Sequence, residues 1–350
     1  MPAMLCNLWH IKQTNGLYYY ALDYLRAIKP RVPVLVRPTL LETTRRALPN
    51  HDVRAVGASG LIARLIGTAL QGRWVFTPTS HPFPLLKRQL IVIHDDYPFL
   101  EPRGNLKRKV FHTLLAMSEC HVGHVNHSTA LRAIPNDLVP ASRRWYVPNL
   151  GPLDQDIVAL RLLRLAASAA NGGDDGTLRV ALFGTDSRKK RYEVLFDAVC
   201  RAGLADRLSF AAYGHPTPYL DELTAAFPGL SIELVHSSMT PMEVFLADAD
   251  GVVSVAEHEG FGRPVALALA AGLPCFLLRS PVFEEFFSSS ISLHASVDAL
   301  VSALAAASRP PAKPGASNLE TSFVALPQIR AAFEEATARL NRLAAQGAPA

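Results

Sequence analysis

The stretch AEHEGFGRPVALALAAGLP, residues 256–274, is the most informative one for the fold of the half of the sequence that contains it. An apolar strand-like run ends at its acidic residues, two glycines make a tight turn, and Pro264 stands at the first position of a helix. Gly260 and Gly262 let backbone N–H groups approach a ligand closely, and the amino end of the helix attracts an anion. The pattern predicts a phosphate site between a strand and a helix, with Glu259 beside the group that the phosphate carries.

Outward from this stretch, apolar runs alternate with helical patterns along the sequence. Strands that alternate with helices form parallel sheets. The strand-like runs are MLCNLWHI, VPVLVRP, RWVFTP, QLIVIHDD and HVGHVN in the first half, and LRVALFG, RLSFAAYG, SIELV, GVVSVA and CFLLRS in the second. The predicted fold class is therefore α/β, with two doubly wound Rossmann-like domains.

The length of 350 residues also favours two domains, since one domain usually has roughly 100–200 residues. The glycine-rich stretch RLAASAANGGDDGT, residues 164–177, is typical of a linker, and SRPPAKPGAS interrupts regular structure near the end. We expect domains at 1–165 and 166–325. A final amphipathic helix in 326–350 is expected to pack across their junction.

Residues 259–274 resemble the retaining family 4 glycosyltransferases, whose signature is an EGFG-type turn, a proline two residues on, and a helix that ends in A-x-G-x-P. The resemblance implies the GT-B fold, in which two Rossmann-like domains face across a cleft that takes a nucleotide-activated sugar. It implies that Glu259 contacts the donor sugar. The turn of Gly260, Phe261 and Gly262 would hold the diphosphate.

The resemblance extends upstream to ALFGTDSRKKRYEVLFDAV, which is similar to the family's strand, glycine turn and basic loop. Lys190 matches the phosphate-binding lysine of the family. The family's arginine directly after the glycine is Thr185 here, and Arg188 is expected to supply that charge. The family's second glutamate, which binds the ribose, is Leu267 here.

The first half resembles the family more weakly. NGLYYYALDYLRAI is similar to the first glycine turn and helix, which places Gly16 where a backbone would approach the donor phosphate or the acceptor. QLIVIHDDYPFL is similar to the strand that ends in a histidine, and this implies that His94 contacts a sugar.

Each of these patterns also has an ordinary structural explanation. The EGFGRP turn can be a plain strand-to-helix connection, the basic run at 188–191 a solvated loop, and His94 a residue with a local hydrogen bond. CHVGHVNH, residues 120–127, has the spacing of a zinc cluster, but in a strand His121 and His127 would point one way and His124 the other. VGASGLIARL is similar to a dehydrogenase turn, but it lies too late in the chain and lacks the acidic residue that should follow.

Charge divides the chain unevenly. Residues 1–150 hold 19 Lys and Arg against 8 Asp and Glu, a net charge of +11, whereas the remainder has a net charge of −6. Basic charge attracts anionic lipid, nucleic acid or a phosphorylated acceptor. NLKRKVFHTLLAM is either a plain surface helix, with Val110, Leu114 and Leu115 in the core, or a contact with anionic membrane through its basic residues. No recognition motif supports nucleic acid.

The compartment is expected to be the cytoplasm, with peripheral contact at the inner face of the membrane. No apolar run reaches the roughly 20 residues that span a bilayer, and no signal sequence is expected. The four cysteines are far apart and read as reduced thiols: Cys6, Cys120, Cys200 and Cys275.

The predicted function is transfer of a hexosyl unit from a nucleotide diphosphate sugar to a saccharide or lipid-linked acceptor, with retention as the resemblance implies. No metal ion or other cofactor is expected. The alternative is a catalytically silent homologue that serves as a binding partner in glycan assembly, which Leu267 and Thr185 favour. The sequence does not distinguish the base, the sugar or the acceptor.

Overall fold

The computed structural model describes residues 3–84, 86–100, 104–170, 177–185, 188–307 and 322–346. The chain divides into two compact units. Unit 1 comprises Met1–Leu150 and Pro327–Ala350, and unit 2 comprises Gly151–Leu326. Each unit is described by itself.

Unit 1 is built on sheet A, whose described strands are all parallel and follow the order β3-β2-β1-β4-β5-β6-β7. Its strands are β1 Met4–Asn7, β2 Pro33–Val36, β3 Asp52–Ala55, β4 Trp74–Thr77, β5 Gln89–Ile93, β6 His121–His124 and β7 Arg144–Tyr146. Its first helices are α1 Gly16–Ala27, α2 Leu41–Ala47, α3 Ala58–Leu70 and α4 Gly104–Ser118. The strand order reverses between β1 and β4, which is where open α/β sheets bind ligands.

Helix α1 forms because Asn15 caps its first turn by accepting a hydrogen bond from the backbone N–H of Tyr18, and because its apolar residues share one broad, buried face. Tyr20 and Tyr24 are fully buried. Their hydroxyls donate to the carbonyls of Val147 and Pro148 at 2.9 and 2.8 Å, so each ring is buried without leaving an unpaired polar atom. These bonds fasten α1 to the segment that follows β7.

Unit 2 is built on sheet B, also parallel throughout its described strands, in the order β10-β9-β8-β11-β12. Its strands are β8 Leu178–Phe183, β9 Leu208–Gly214, β10 Ser231–His236, β11 Gly251–Ser254 and β12 Cys275–Leu277. Its helices are α5 Asp154–Ala170, α6 Tyr192–Arg201, α7 Pro218–Ala226, α8 Met242–Ala247, α9 Arg263–Ala270, α10 Pro281–Phe287 and α11 Val297–Ala307. The order reverses between β8 and β11, the counterpart of the β1–β4 junction in unit 1.

The boundary expected at residue 165 falls inside α5, which packs within unit 2. Arg161 donates to the carbonyl of Ala270, the last residue of α9, at 2.8 Å, and Arg164 donates to the carbonyl of Ala249 at 2.7 Å. These bonds satisfy backbone carbonyls that have no partner within a helix or strand. The division lies instead between Leu150 and Gly151. The expected linker is thus helical up to Ala170, and its residues 171–176 lie outside the described residues, as does the SRPPAKPGAS segment.

The last helix, α12 Leu326–Ala345, packs on unit 1. Phe333 contacts the ring of Tyr24 with the centroids 4.5 Å apart, and the guanidinium of Arg339 lies 3.5 Å from the centroid of the Trp145 ring. Asn341 bridges the end of α1, because its amide accepts from the backbone N–H of Lys29 and donates to the carbonyl of Ala27. The chain therefore returns at its end to the unit in which it began.

The α/β class and the two Rossmann-like units that the sequence predicts are confirmed. Within α4, however, Val110 was expected in the core and is 51% exposed; Phe111 and Leu115 are the apolar side chains of this helix that are buried. The buried face follows Phe111, Leu115 and Ser118, at spacings of four and three residues, so it starts one residue later than expected but includes Leu115 as expected. Within the part of the chain that the structure describes, no helix is both long and apolar enough to cross a membrane.

Candidate functional site

The strands of sheet B end at one edge, which we call the carboxyl edge of unit 2. The basic loop that contains Lys190 follows β8, and the acidic segment that contains Glu259 follows β11. Since β8 and β11 pair directly, with Ala181 opposite Val252, these two segments leave the sheet side by side at the position where the strand order reverses. The fold therefore brings together residues that are 69 positions apart in the chain.

The glycine turn ends where α9 begins. Gly262 caps α9 with φ +86° and ψ +52°, a left-handed conformation that other residues adopt only at a cost. The first turn of α9 has Pro264 near its start and no acidic residue, so the amino-terminal N–H groups keep their attraction for an anion. These are the properties that the sequence predicts for a phosphate site.

Phe261 anchors the turn. Its ring is 3% exposed and lies 4.9 Å from the ring of Phe286, with Phe287 and Phe323 also in contact distance of the cluster. Because the side chain is buried, only the backbone of Phe261 could take part in the predicted substrate binding. Its side chain fixes the turn onto α10.

Lys190 and Glu259 form a hydrogen-bonded ion pair in which both side chains are largely buried, 16% and 14% exposed. Burial raises the pKa of the Glu259 carboxyl, but the charges of Lys190 and Lys189 and the hydrogen bond from Lys190 outweigh it, so that the pKa lies below its ordinary value. The carboxylate is thus ionised at neutral pH despite its burial. The sequence predicts roles for both residues but does not reveal that they pair.

A second ion pair runs beside the first and is not predicted by the sequence analysis. Arg191 donates to the carboxylate of Glu257. Arg191 is one of the two non-glycine residues with positive φ in the described chain, at φ +55° and ψ +35°. The sequence signal for this arrangement is weak: two adjacent cations, Lys190 and Arg191, and two glutamates separated by one residue, Glu257 and Glu259.

Arg188, expected to replace the family's arginine, lies on the surface with its side chain 66% exposed. It forms an ion pair with Glu222, and its guanidinium lies 5.4 Å from the centroid of the Tyr219 ring. Its partners are thus on α7. Its role in phosphate binding stays a prediction.

Thr185 occupies the family's arginine position and is buried. Its hydroxyl donates to the carbonyl of His215 at 2.6 Å and accepts from the backbone N–H of the same residue, and its own carbonyl accepts from the hydroxyl of Thr217. Gly214 leaves room for it, because a Cβ there would lie 2.5 Å from the Thr185 hydroxyl oxygen. Thr185 therefore ties the ends of β8 and β9 together and holds no charge toward the turn.

Leu267, at the position of the family's second glutamate, is 6% exposed within the buried face of α9. The carboxylate of Glu284, on α10, pairs with Arg279 at 3.6 Å on the surface. No described contact brings a carboxylate to the position that Leu267 fills.

In unit 1, His94 directly follows β5. Its Nε2 lies 3.0 Å from the carbonyl oxygen of Pro78, its ring meets the edge of Tyr20 at 4.5 Å, and its carbonyl accepts from the Asn126 amide. Gly16 begins α1, and a Cβ there would meet nothing within 4 Å. The backbone at Gly16 thus has open space beside it, while its approach to a ligand and the sugar contact of His94 stay predictions.

The histidines of residues 120–127 do not divide as expected. Strand β6 ends at His124, so His127 is not part of its alternation and lies 5.0 Å from the His124 ring, on the side of Tyr146. His121 points to the other face and accepts a hydrogen bond from the indole of Trp145 at 3.0 Å. Within the described ranges no group of three or more His, Cys, Asp or Glu side chains could hold a metal ion.

Comparison with solved structures gives the fold a name. The chain is similar to HepE of Anabaena, solved with UDP and glucose, at a TM-score of 0.64, 16% identity and 98% coverage of both chains. It is similar to sucrose-phosphate synthase of Thermosynechococcus elongatus at a TM-score of 0.66, with 14% identity and 97% of each chain covered. WaaG, a glycosyltransferase involved in lipopolysaccharide biosynthesis, gives a TM-score of 0.62 at 12% identity, with 97% of this chain and 95% of that chain covered.

This chain has the GT-B fold. These neighbours confirm the expected fold class over nearly the whole length of this chain. No family model matches the sequence, and no curated protein matches it.

Proposed function

We propose that this GT-B chain transfers a hexosyl unit from a nucleoside diphosphate sugar to a saccharide or lipid-linked acceptor, with retention of configuration. The observation that carries the proposal is the buried Lys190–Glu259 pair at the start of the glycine turn. A buried ion pair contributes little to stability compared with apolar packing, so its presence at a sheet's switch point is better explained by chemistry. The fold neighbour HepE, which was solved with UDP and glucose, supports the same donor class.

Each group has a role that follows from its charge. The leaving nucleoside diphosphate gains negative charge as the glycosidic bond breaks, and a fixed ammonium such as Lys190 lowers the barrier to its departure. The backbone N–H groups at Gly262 and the start of α9 would hold the same phosphates. Glu259, kept ionised by Lys190, would accept hydrogen bonds from sugar hydroxyls and orient the donor.

The acceptor is proposed to bind unit 1 and to be a saccharide or a lipid-linked glycan. Helix α4 exposes Leu106, Val110 and Met117 together with the basic run 107–109, a combination that suits an anionic lipid surface. The test is co-sedimentation with anionic vesicles, which Leu106→Glu should weaken. Unchanged co-sedimentation of this variant would contradict the membrane contact.

The donor proposal is tested by calorimetry of the full chain against UDP, GDP, ADP and their common sugar conjugates. We expect one nucleotide to bind, and we expect Lys190→Ala to weaken it about tenfold or more, because a charge-assisted bond to phosphate is lost. Arg201→Ala is the matched control, since Arg201 is an exposed ion-paired cation of unit 2 on α6. Binding that Lys190→Ala leaves unchanged would contradict the assignment.

A second candidate is a catalytically silent homologue that binds a nucleotide sugar within a glycan-assembly complex. Two observations favour it. Leu267 is buried in apolar surroundings, and the hydroxyl of Thr185 is hydrogen-bonded to the backbone of His215. Nucleotide-sugar binding with neither hydrolysis nor transfer to any acceptor would support this candidate over the enzyme.

A further inference from the structure

The carboxyl edge of sheet A holds a group of cationic and imidazole side chains that the proposed donor site does not use. Strands β1 and β4 are neighbours at the point where the strand order reverses. His10 lies in the loop after β1, and His81 lies in the loop after β4. The fold therefore places these two side chains together where open α/β sheets bind ligands.

The two imidazoles are stacked face to face, with ring centroids 4.0 Å apart and planes only 6° from parallel. Thr79 orients His81, since its hydroxyl oxygen lies 3.0 Å from the Nδ1 of the ring. His10 is half-buried, and its ring nitrogens have no hydrogen-bond partner among the described residues. The pair thus leaves polar ring atoms for a further group.

Two cations flank the stack. Arg37 is half-buried and held in place, because its Nε donates to the carbonyl of Trp9 at 2.9 Å and its guanidinium lies 4.1 Å from the centroid of the Trp9 ring. The indole of Trp9 is itself fixed by a bond to the carbonyl of Val56 at 2.9 Å. The terminal N–H groups of this guanidinium have no acceptor in the described part of the chain. Lys12 is exposed on the loop after β1.

The electrostatic balance of this group lacks an anion. Burial lowers the pKa of His10 to about 3, with His81 and Arg37 adding to the effect, and burial together with Lys12 lowers the pKa of His81. Within the described ranges no carboxylate forms an ion pair with His10, His81, Arg37 or Lys12. A bound anion would compensate all four groups at once.

We propose that His10, His81, Arg37 and Lys12 form a binding site for a phosphoryl group carried by the acceptor. Guanidinium and imidazole N–H groups are strong donors to phosphate oxygens, and a planar guanidinium can donate two parallel bonds. The assignment to the acceptor rests on the proposed function, because unit 2 has its own cation for the donor diphosphate in Lys190. The phosphoryl group can belong to a sugar phosphate or to a lipid-linked phosphate.

The test is NMR of the histidine side chains of the full chain, titrated with inorganic phosphate. The signals of His10 and His81 are assigned with His10→Gln and His81→Gln. We expect phosphate to move both signals and to raise the pKa of both rings. The double variant should weaken phosphate binding about tenfold or more while UDP binding stays unchanged. His112→Gln, on α4 of the same unit, is the matched control.

Phosphate that leaves both signals in place, or that binds the double variant as well as the wild type, would overturn the site. If the double variant does not fold, Lys12→Gln at the surface replaces it, and it should weaken phosphate binding about threefold at low salt. Unchanged binding in that variant counts against the site equally.

Three further probes identify the source of the phosphoryl group. Binding of a hexose 6-phosphate supports a sugar phosphate, and binding of vesicles that contain phosphatidic acid supports a lipid. Displacement of phosphate from His10 by UDP would assign the site to the donor and overturn the acceptor assignment. If neither the hexose 6-phosphate nor the phosphatidic acid vesicles bind, the acceptor assignment is also overturned. A chain that binds phosphate at His10 but binds no nucleotide would retain the anion site and refute glycosyl transfer, so the two failures are distinguishable.

Discussion

The carboxyl edges of the two sheets have the same architecture and opposite electrostatics. At the edge of unit 2 the cations of the basic loop are paired with carboxylates, Lys190 with Glu259 and Arg191 with Glu257. At the edge of unit 1 the cations Arg37 and Lys12 flank the neutral, stacked rings of His10 and His81, and in the described chain no carboxylate pairs with them. Unit 2 thus pairs its cations with carboxylates, whereas unit 1 keeps its imidazoles neutral beside cations that have no carboxylate partner in the described chain.

The two charge arrangements suit different roles in the two units. A paired lysine and glutamate keep both charges at fixed positions, which suits a reaction in which charge develops on a leaving group. Neutral imidazoles beside unpaired cations gain charge when an anion arrives, which suits binding of an acceptor. Variants that remove the pairing in unit 2 test the first half of this comparison.

The largest expected effect is the loss of the buried pair. Lys190→Met leaves the Glu259 carboxylate buried without a partner, and removal of one member of a buried pair costs about 3–5 kcal/mol of the free energy of unfolding. Urea unfolding at neutral pH measures the loss. Lys190→Arg, which keeps the charge, should retain most of the stability. The double variant Lys190→Met with Glu259→Leu should recover much of it, since it buries no charge.

The pH dependence of that loss has a definite sign. In the wild type the pKa of Glu259 is lowered, so its stabilising contribution is present above the ordinary value of 4.5 and disappears as the pH falls through the lowered value. In Lys190→Met only the charge of Lys189 opposes burial, which is the larger effect, so the pKa rises and the carboxyl takes up a proton more readily. The stability difference between the two proteins should therefore shrink as the pH falls, beginning above 4.5 at the raised pKa of the variant and continuing below 4.5 to the lowered pKa of the wild type. A difference that grows on acidification would contradict the pairing.

A smaller effect separates the glycines of the two edges. Gly262 has φ +86°, so Gly262→Ala should cost about 1–2 kcal/mol in the free energy of unfolding and should weaken nucleotide binding. Gly16 has no positive φ and has open space around it, so Gly16→Ala should leave stability unchanged or raise it by up to about 1 kcal/mol. Thermal unfolding of both variants measures the contrast, and equal costs would show that Gly262 is not held in the left-handed conformation.

The sequence predicts much of this molecule because most of its strands are largely apolar. Both sheets follow from the alternation of apolar runs with helical patterns, and the glycine turn follows from Gly260, Gly262 and Pro264. The edge strands β3 and β7 escape this reasoning because DVRA and RWY are short and charged. The boundary at 150 escapes it because the glycine-rich stretch that follows α5 in the sequence, residues 171–176, is typical of a linker.

The chemistry of the edges is less predictable than the fold. Lys190 and Glu259 are recognisable one by one from the motif, but their pairing depends on β8 and β11 being neighbours, which no local pattern records. The sequence predicts Arg188 as a phosphate ligand, whereas in the structure Arg188 pairs with Glu222. The stack of His10 on His81 joins two loops that flank adjacent strands, and neither loop carries a motif.

Above all, we propose that the carboxyl edge of unit 2 binds a nucleoside diphosphate at Lys190. The most direct measurement is a crystal structure of the chain with the nucleoside diphosphate that calorimetry identifies. We expect a diphosphate within hydrogen-bond distance of the Lys190 Nζ and of the backbone N–H groups at the start of α9. A nucleotide bound instead at His10 and His81, with the Lys190–Glu259 pair untouched, would contradict it.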